Sequence, residues 1–204
     1  MYPTAEVRWF FRGPVPPDVA AWFERGTESI RHEPPREDRY LRLCDTDDLN
    51  IKLREGRLEI KQRVGETETV QFHPQVSGVV EQWNKHGFVP AEEDDDTAAF
   101  AHAGRGWVAV DKDRSVRTFR VAEDSTVVVP TTTETPQRGC GMELTTVRAL
   151  GRLWWTLALE AFGRPSSLHS SLLLTAQHVF ASGEPPSLPN HRSYGYAAWL
   201  SRLA

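Results

Sequence analysis

The chain has 204 residues and a formal charge of −4, from 24 lysines and arginines against 28 aspartates and glutamates, a length that fits one domain able to bury its own core. The acidic balance argues against a general nucleic-acid binder, no apolar run reaches the roughly 20 residues that span a bilayer, and the opening MYPTAEVRWFF lacks the pattern of a secretory signal. Two cysteines, Cys44 and Cys140, are too few for a disulfide framework and form no CxxC pair, so the expectation is a single domain, 1–204, in the reducing cytoplasm.

Residues 4–12, TAEVRWFFR, predict a strand, with Glu6, Arg8 and Phe10 on one face and Val7, Trp9 and Phe11 on the other. Gly13 and the prolines at 14, 16 and 17 end it, and residues 18–25 predict a short helix followed by Gly26. Residues 31–38, RHEPPRED, read as a polar loop. The most regular stretch is LNIKLREGRLEIKQRV, two strands around a turn at Glu55-Gly56. Period 2 places Asn50, Lys52 and Arg54 on one side of the first strand, and Arg57, Glu59, Lys61 and Arg63 on one side of the second. Residues 79–86 predict a short helix, and the acidic run at 92–96 a solvated loop. Strands are expected at 107–121, 126–129 and 140–147, a helix at 150–162, a helix or buried strand at 172–180, and a helical tail.

The distribution of charge is the informative feature. From Lys52 to Arg63 there are five basic residues and two acidic ones in a chain that is acidic overall. Lys112 and Arg114 repeat the i, i+2 spacing on a third strand. Like charges on neighbouring strands repel, and such a face becomes favourable when it receives a polyanion, because arginine can bind phosphate oxygens bidentately and lysine acts as a compact point charge. The simpler alternative is the solvent face of an antiparallel sheet, and the pattern does not say which face is concave.

Several motifs occur in an order that resembles the CYTH superfamily, the triphosphate tunnel metalloenzymes, which include class IV adenylyl cyclases, thiamine triphosphatases and inorganic triphosphatases. The family opens with ExExK and a Phe, similar to Glu6-Val7-Arg8-Trp9-Phe10-Phe11 here. A Tyr-containing segment follows, matched by Asp38-Arg39-Tyr40-Leu41, then a hairpin matched by Lys52-Leu53-Arg54 and Lys61, and a K-x-R strand matched by Lys112-Asp113-Arg114. The late ExE strand has its counterpart in Glu143-Leu144-Thr145, and a terminal Ser-Tyr in Ser193-Tyr194. The resemblance implies an α+β fold: an eight-stranded antiparallel β-barrel forming a tunnel open at both ends, with helices packed outside. It also implies that the cationic faces point inward, with Arg8, Lys52, Arg54, Lys61, Arg63, Lys112 and Arg114 holding a phosphorylated or otherwise anionic small molecule.

The departures bear on chemistry. In the family the carboxylates of ExExK and ExE bind a divalent metal, but Arg8 replaces the second Glu here, Phe10 the Lys, and Thr145 the second late Glu. A guanidinium in place of a carboxylate changes the local charge by two units and repels a divalent ion. The leading expectation is therefore an anion-binding tunnel with hydrolysis weakened or lost. One alternative is a Mg²⁺- or Mn²⁺-dependent triphosphatase using Glu6, Glu59 and Glu143 as metal ligands. Another is a non-enzymatic scaffold whose tunnel is closed by internal ion pairs. The seven histidines show no zinc-binding spacing, and neither GxSxG nor GxxxxGK[ST] occurs. Cys140 reads as a packed residue, and Trp154 and Trp155 as packing outside the barrel.

Overall fold

The protein is described from a computed structural model covering residues 2–25, 30–88, 106–131 and 136–203. The acidic run at 92–96 lies outside the described residues. The strands are β1 (Tyr2–Arg12), β2 (Arg31–Leu41), β3 (Leu49–Arg54), β4 (Arg57–His73), β5 (Val76–Phe88), β6 (Trp107–Val121), β7 (Val127–Val128), β8 (Gly139–Ala149) and β9 (Arg152–Phe162). The helices are α1 (Pro17–Glu24), α2 (Leu168–Ala181) and α3 (Tyr196–Ser201). The sheet runs β2-β3-β4-β5-β1-β9-β8-β6-β7, and a β2–β6 pairing closes its first eight members into an antiparallel barrel with β7 appended.

The β3–β4 connection is the expected hairpin: Glu55 and Gly56 both take positive φ, 48° and 73°, as a type I′ turn requires. Three expected elements differ. Residues 79–86 and 150–162, read as helices, lie in β5 and β9, with Leu150-Gly151 forming a second positive-φ turn between β8 and β9. The barrel wall is buried on both sides here, so Trp155, Leu157, Leu159 and Ala161 face the outer core while Thr156 and Ala158 face inward. A strand covered on both faces loses the polar alternation that would identify it. Residues 31–38, read as a loop, belong to β2. Pro34 and Pro35 fall within a register shift between Glu33 and Arg36, where a bulge tolerates a missing donor.

Outside the barrel, α1 and α2 cover β1, β8 and β9. Ala5, Val7 and Trp9 of β1 pack with Leu172, Ala176 and Phe180 of α2, and Trp22 of α1 stacks on Phe180 at 5.9 Å. Gly78 of the neighbouring β5 leaves room for the β1 side chains: a Cβ there would sit 2.6 Å from Trp9 and Val7. Cys140 is fully buried in this cluster, where burial pushes its thiol pKa up, consistent with a packing role.

One end of the tunnel is closed. Inward residues Phe10, Tyr40, Val108, Val110, Val147 and Ala149 form a second core with Trp199, Leu200 and Leu203 of the C-terminal segment. That segment is tied in by the backbone N–H of Val79, which donates to Ser193 Oγ at 2.8 Å, and by the N–H of Tyr194, which donates to the Arg8 carbonyl at 3.0 Å. Phe10 stacks against Tyr194 and Trp199 at 5.4 and 5.1 Å. The expected tunnel open at both ends is thus a cup, with α3 as its base. The paired tryptophans divide: Trp155 stacks outside on Phe11 at 4.3 Å, while Trp154 meets Trp199 at 6.0 Å in the base.

Candidate anion-binding cavity

Strand alternation sends Glu6 and Arg8, Lys52 and Arg54, Glu59 and Lys61, Lys112 and Arg114, and Glu143 into the barrel, as their spacing predicts. Above the aromatic base is a cavity of about 360 Å³. Among the described residues, nine lysines or arginines and three glutamates line it, so its wall is cationic within an acidic protein. Glu33, Asp38 and Glu59 stand between these cations and offset part of that excess.

On the β1–β9–β8 side the charges interlock. The Arg8 guanidinium, 5% exposed, bonds Glu143 at 3.2 Å, and its buried Nε has no hydrogen-bond partner. Arg114 donates to the other Glu143 oxygen at 2.6 Å and reaches Glu33 at 2.7 Å. Lys61 Nζ sits between Glu6 at 2.9 Å and Glu160 at 3.1 Å. Burial alone would raise the Glu143 pKa, but Arg8 and Arg114 outweigh it and hold the carboxyl at about 2.

On the β2–β3–β4 side, Asp38 is fully buried beneath four cations: Lys112 at 2.9 Å, Arg54 at 3.1 Å, Arg36 at 3.4 Å and Lys52 at 3.7 Å. Glu59 is shared by Lys52 at 3.0 Å, Lys85 at 3.1 Å and Arg54 at 3.6 Å. Burial opposes ionisation of Asp38, but Lys112 and Lys52 keep its carboxyl well below the usual range. Burial, with Arg54 adding repulsion, lowers Lys52 to about 8 against the pull of Asp38. Burial and the nearby Lys52 likewise push Lys112 well down. At the base, Lys112 lies 4.0 Å from the Tyr196 ring centroid and 4.7 Å from that of Tyr40, and Arg8 lies 5.0 Å from Tyr196.

The carboxylates proposed as metal ligands do not form a metal centre. Glu6 is held by Lys61, Glu143 by Arg8 and Arg114, and Glu59 by Lys52, Lys85 and Arg54. Among the described residues no three His, Cys, Asp or Glu side chains are grouped to hold an ion. A divalent cation there would have to displace lysine or arginine from each ligand and lie beside the Arg8 charge, so the residues present do not fit Mg²⁺ or Mn²⁺.

Of the seven cations expected from sequence, six line the cavity. Arg63 instead pairs with Glu81 at 3.2 Å and Asp47 at 2.6 Å and is not part of the lining. Sequence reasoning missed Arg31, Arg36, Lys85, Glu160 and Tyr196 as lining residues, and Asp38 as the buried acid behind the cations. After the bulge, Arg36, Asp38 and Tyr40 keep period 2, a signal hidden by the two prolines. Lys85 and Glu160 lay in segments read as helices.

No helix among the described residues is long and apolar enough to cross a membrane. No family model matches the chain, and no curated protein matches it in sequence. Among solved structures, the PH1819 protein from Pyrococcus horikoshii OT3 is similar at 13% identity and a TM-score of 0.41, over 88% of this chain and 90% of that one.

Proposed function

We propose that this chain is a divergent CYTH-like barrel of the cytoplasm that binds a phosphorylated or polyanionic small molecule in its closed cup and has lost metal-dependent hydrolysis. The observation that carries this reading is the cationic surplus of the cavity wall, nine basic side chains against three glutamates of the lining and the Glu33, Asp38 and Glu59 carboxylates paired with them, nine against six. Such a surplus, partly desolvated, costs free energy through self-repulsion, and an entering polyanion relieves it. Burial, with repulsion from Arg54 in addition, holds the Lys52 pKa down, and an anion close by would favour its charged form. Oxygen-rich ligands suit the guanidinium and ammonium donors, and the small cavity suits a compact anion more than a polymer.

Thermal unfolding in EDTA with tripolyphosphate, ATP or inorganic phosphate tests the reading. A ligand at 100 times its Kd adds about 2.7 kcal/mol, worth roughly 5–10 °C for a chain of this size. A rise with tripolyphosphate is expected. If none of the three moves the transition, the internal ion pairs are a structural interior and the barrel is a scaffold. A phosphate-release assay with tripolyphosphate, ATP and thiamine triphosphate, each with Mg²⁺ and Mn²⁺, is expected to stay at the buffer level. Release above buffer would favour the triphosphatase reading.

A further inference from the structure

The two sides of the cavity wall are charged differently. On the β1–β9–β8 side, Glu6, Glu143 and Glu160 meet Arg8, Lys61 and Arg114, three carboxylates against three cations. On the other side, Asp38 and Glu59 are shared by Arg36, Lys52, Arg54, Lys85 and Lys112, two against five. Glu33 does not redress this, because it is shared by Arg31, Arg36 and Arg114; counted with Arg31 it makes the ratio three against six.

Resting on the anion-binding reading above, we infer that the ligand's phosphate groups seat over the Asp38–Glu59 cluster as the metal-free anion, while the Glu6–Glu143–Glu160 wall is a sealed ion-pair lattice that takes neither ligand charge nor a divalent cation. In the sealed wall, every carboxylate already holds an ammonium or guanidinium within 3.2 Å. An anion there would compete with three fixed carboxylates. Over the other wall it meets a surplus of three positive charges and donors that share carboxylate oxygens instead of each holding its own. Lys85, the most exposed of that cluster at 32%, has free donor capacity toward the cavity. Lys52 and Lys112 are about as buried as Arg8 on the sealed wall, so the exclusion of water strengthens charge-assisted hydrogen bonds on both, and the surplus of positive charge makes this wall the stronger phosphate seat.

The test is isothermal titration of sodium tripolyphosphate into the wild-type protein, in EDTA and again with excess Mg²⁺. Binding is expected in EDTA and is expected to weaken with Mg²⁺, which lowers the charge of the free anion. Lys85→Gln and Arg54→Gln should each weaken it about tenfold, the worth of one charge-assisted hydrogen bond. Arg63→Gln, at a cation that lies outside the lining, should stay within about threefold of wild type. Lys85→Gln sits at a partly exposed position and Arg54→Gln leaves Asp38 three other cations, so both keep the fold; circular dichroism checks this. Binding that requires Mg²⁺, or Lys85→Gln and Arg54→Gln proteins that both bind as tightly as wild type, overturns the inference and leaves anion binding standing. No binding by the folded wild type in either condition removes the anion-binding reading itself.

Discussion

Replacing Asp38 by Asn should destabilise the protein and tighten its hold on a polyanion. Asp38 is 0% exposed and has four cations within 3.7 Å, two of them, Lys112 and Arg54, at hydrogen-bonding distance. Asparagine keeps the volume and one acceptor oxygen, so the packing term is small and the loss is electrostatic. Removing one side of a buried ion pair costs about 3–5 kcal/mol. At roughly 2–4 °C per kcal/mol for a chain of this length, the melting temperature should fall by about 6–20 °C. Because the Asp38 carboxyl is held below its ordinary 3.8, its stabilising contribution is present above that pH and is lost as pH falls, so the gap to wild type should narrow below about pH 4. The same change leaves the surrounding cations with one carboxylate fewer, and tripolyphosphate should bind more tightly and restore part of the lost stability. Calorimetric unfolding with and without tripolyphosphate reads both effects. An Asp38→Asn protein with unchanged melting temperature, or with weakened tripolyphosphate binding, would refute this reasoning.

Three other outcomes are expected. The Glu81 carboxyl, facing Glu6, Arg63 and Trp83, is raised from 4.5 to about 7 by burial and by Glu6. The native state therefore holds a proton that the unfolded chain releases, and stability falls as pH climbs between those values. Glu81→Gln should remove that fall, gaining roughly 2–3 kcal/mol on wild type at pH 8 relative to pH 5 in urea titrations. Phe10→Ala empties a site stacked between Tyr194 and Trp199 and should cost about 3–5 kcal/mol of unfolding free energy, with tryptophan fluorescence reporting a loosened base. Gly78→Ala forces a methyl against Trp9 and Val7 and should lower stability by about 1–3 kcal/mol in the same titrations.

The barrel was legible where one face of a strand is charged and the other aliphatic. Lys52 and Arg54 alternate with Ile51 and Leu53, and Glu59 and Lys61 with Leu58 and Ile60, and their inward placement follows. It was obscured where burial on both faces erases the alternation, as in β9, and where Pro34-Pro35 sit at a bulge in β2. The cationic half of the site was visible because basic residues at i, i+2 are conspicuous in an acidic chain. Its anionic half was not, because Asp38, Glu33 and Glu160 are ordinary acids until the register sets them beneath specific cations. The closed base depends on Phe10 meeting Trp199, a contact across nearly the whole chain that no local period encodes.

The most direct measurement is a crystal structure of the protein grown with tripolyphosphate in EDTA. The account predicts phosphorus atoms inside the cup, with phosphate oxygens within hydrogen-bonding distance of Lys52, Arg54 and Lys85. An ordered tripolyphosphate confined to the outer surface, beside a cavity still filled only by its own ion pairs, would contradict it.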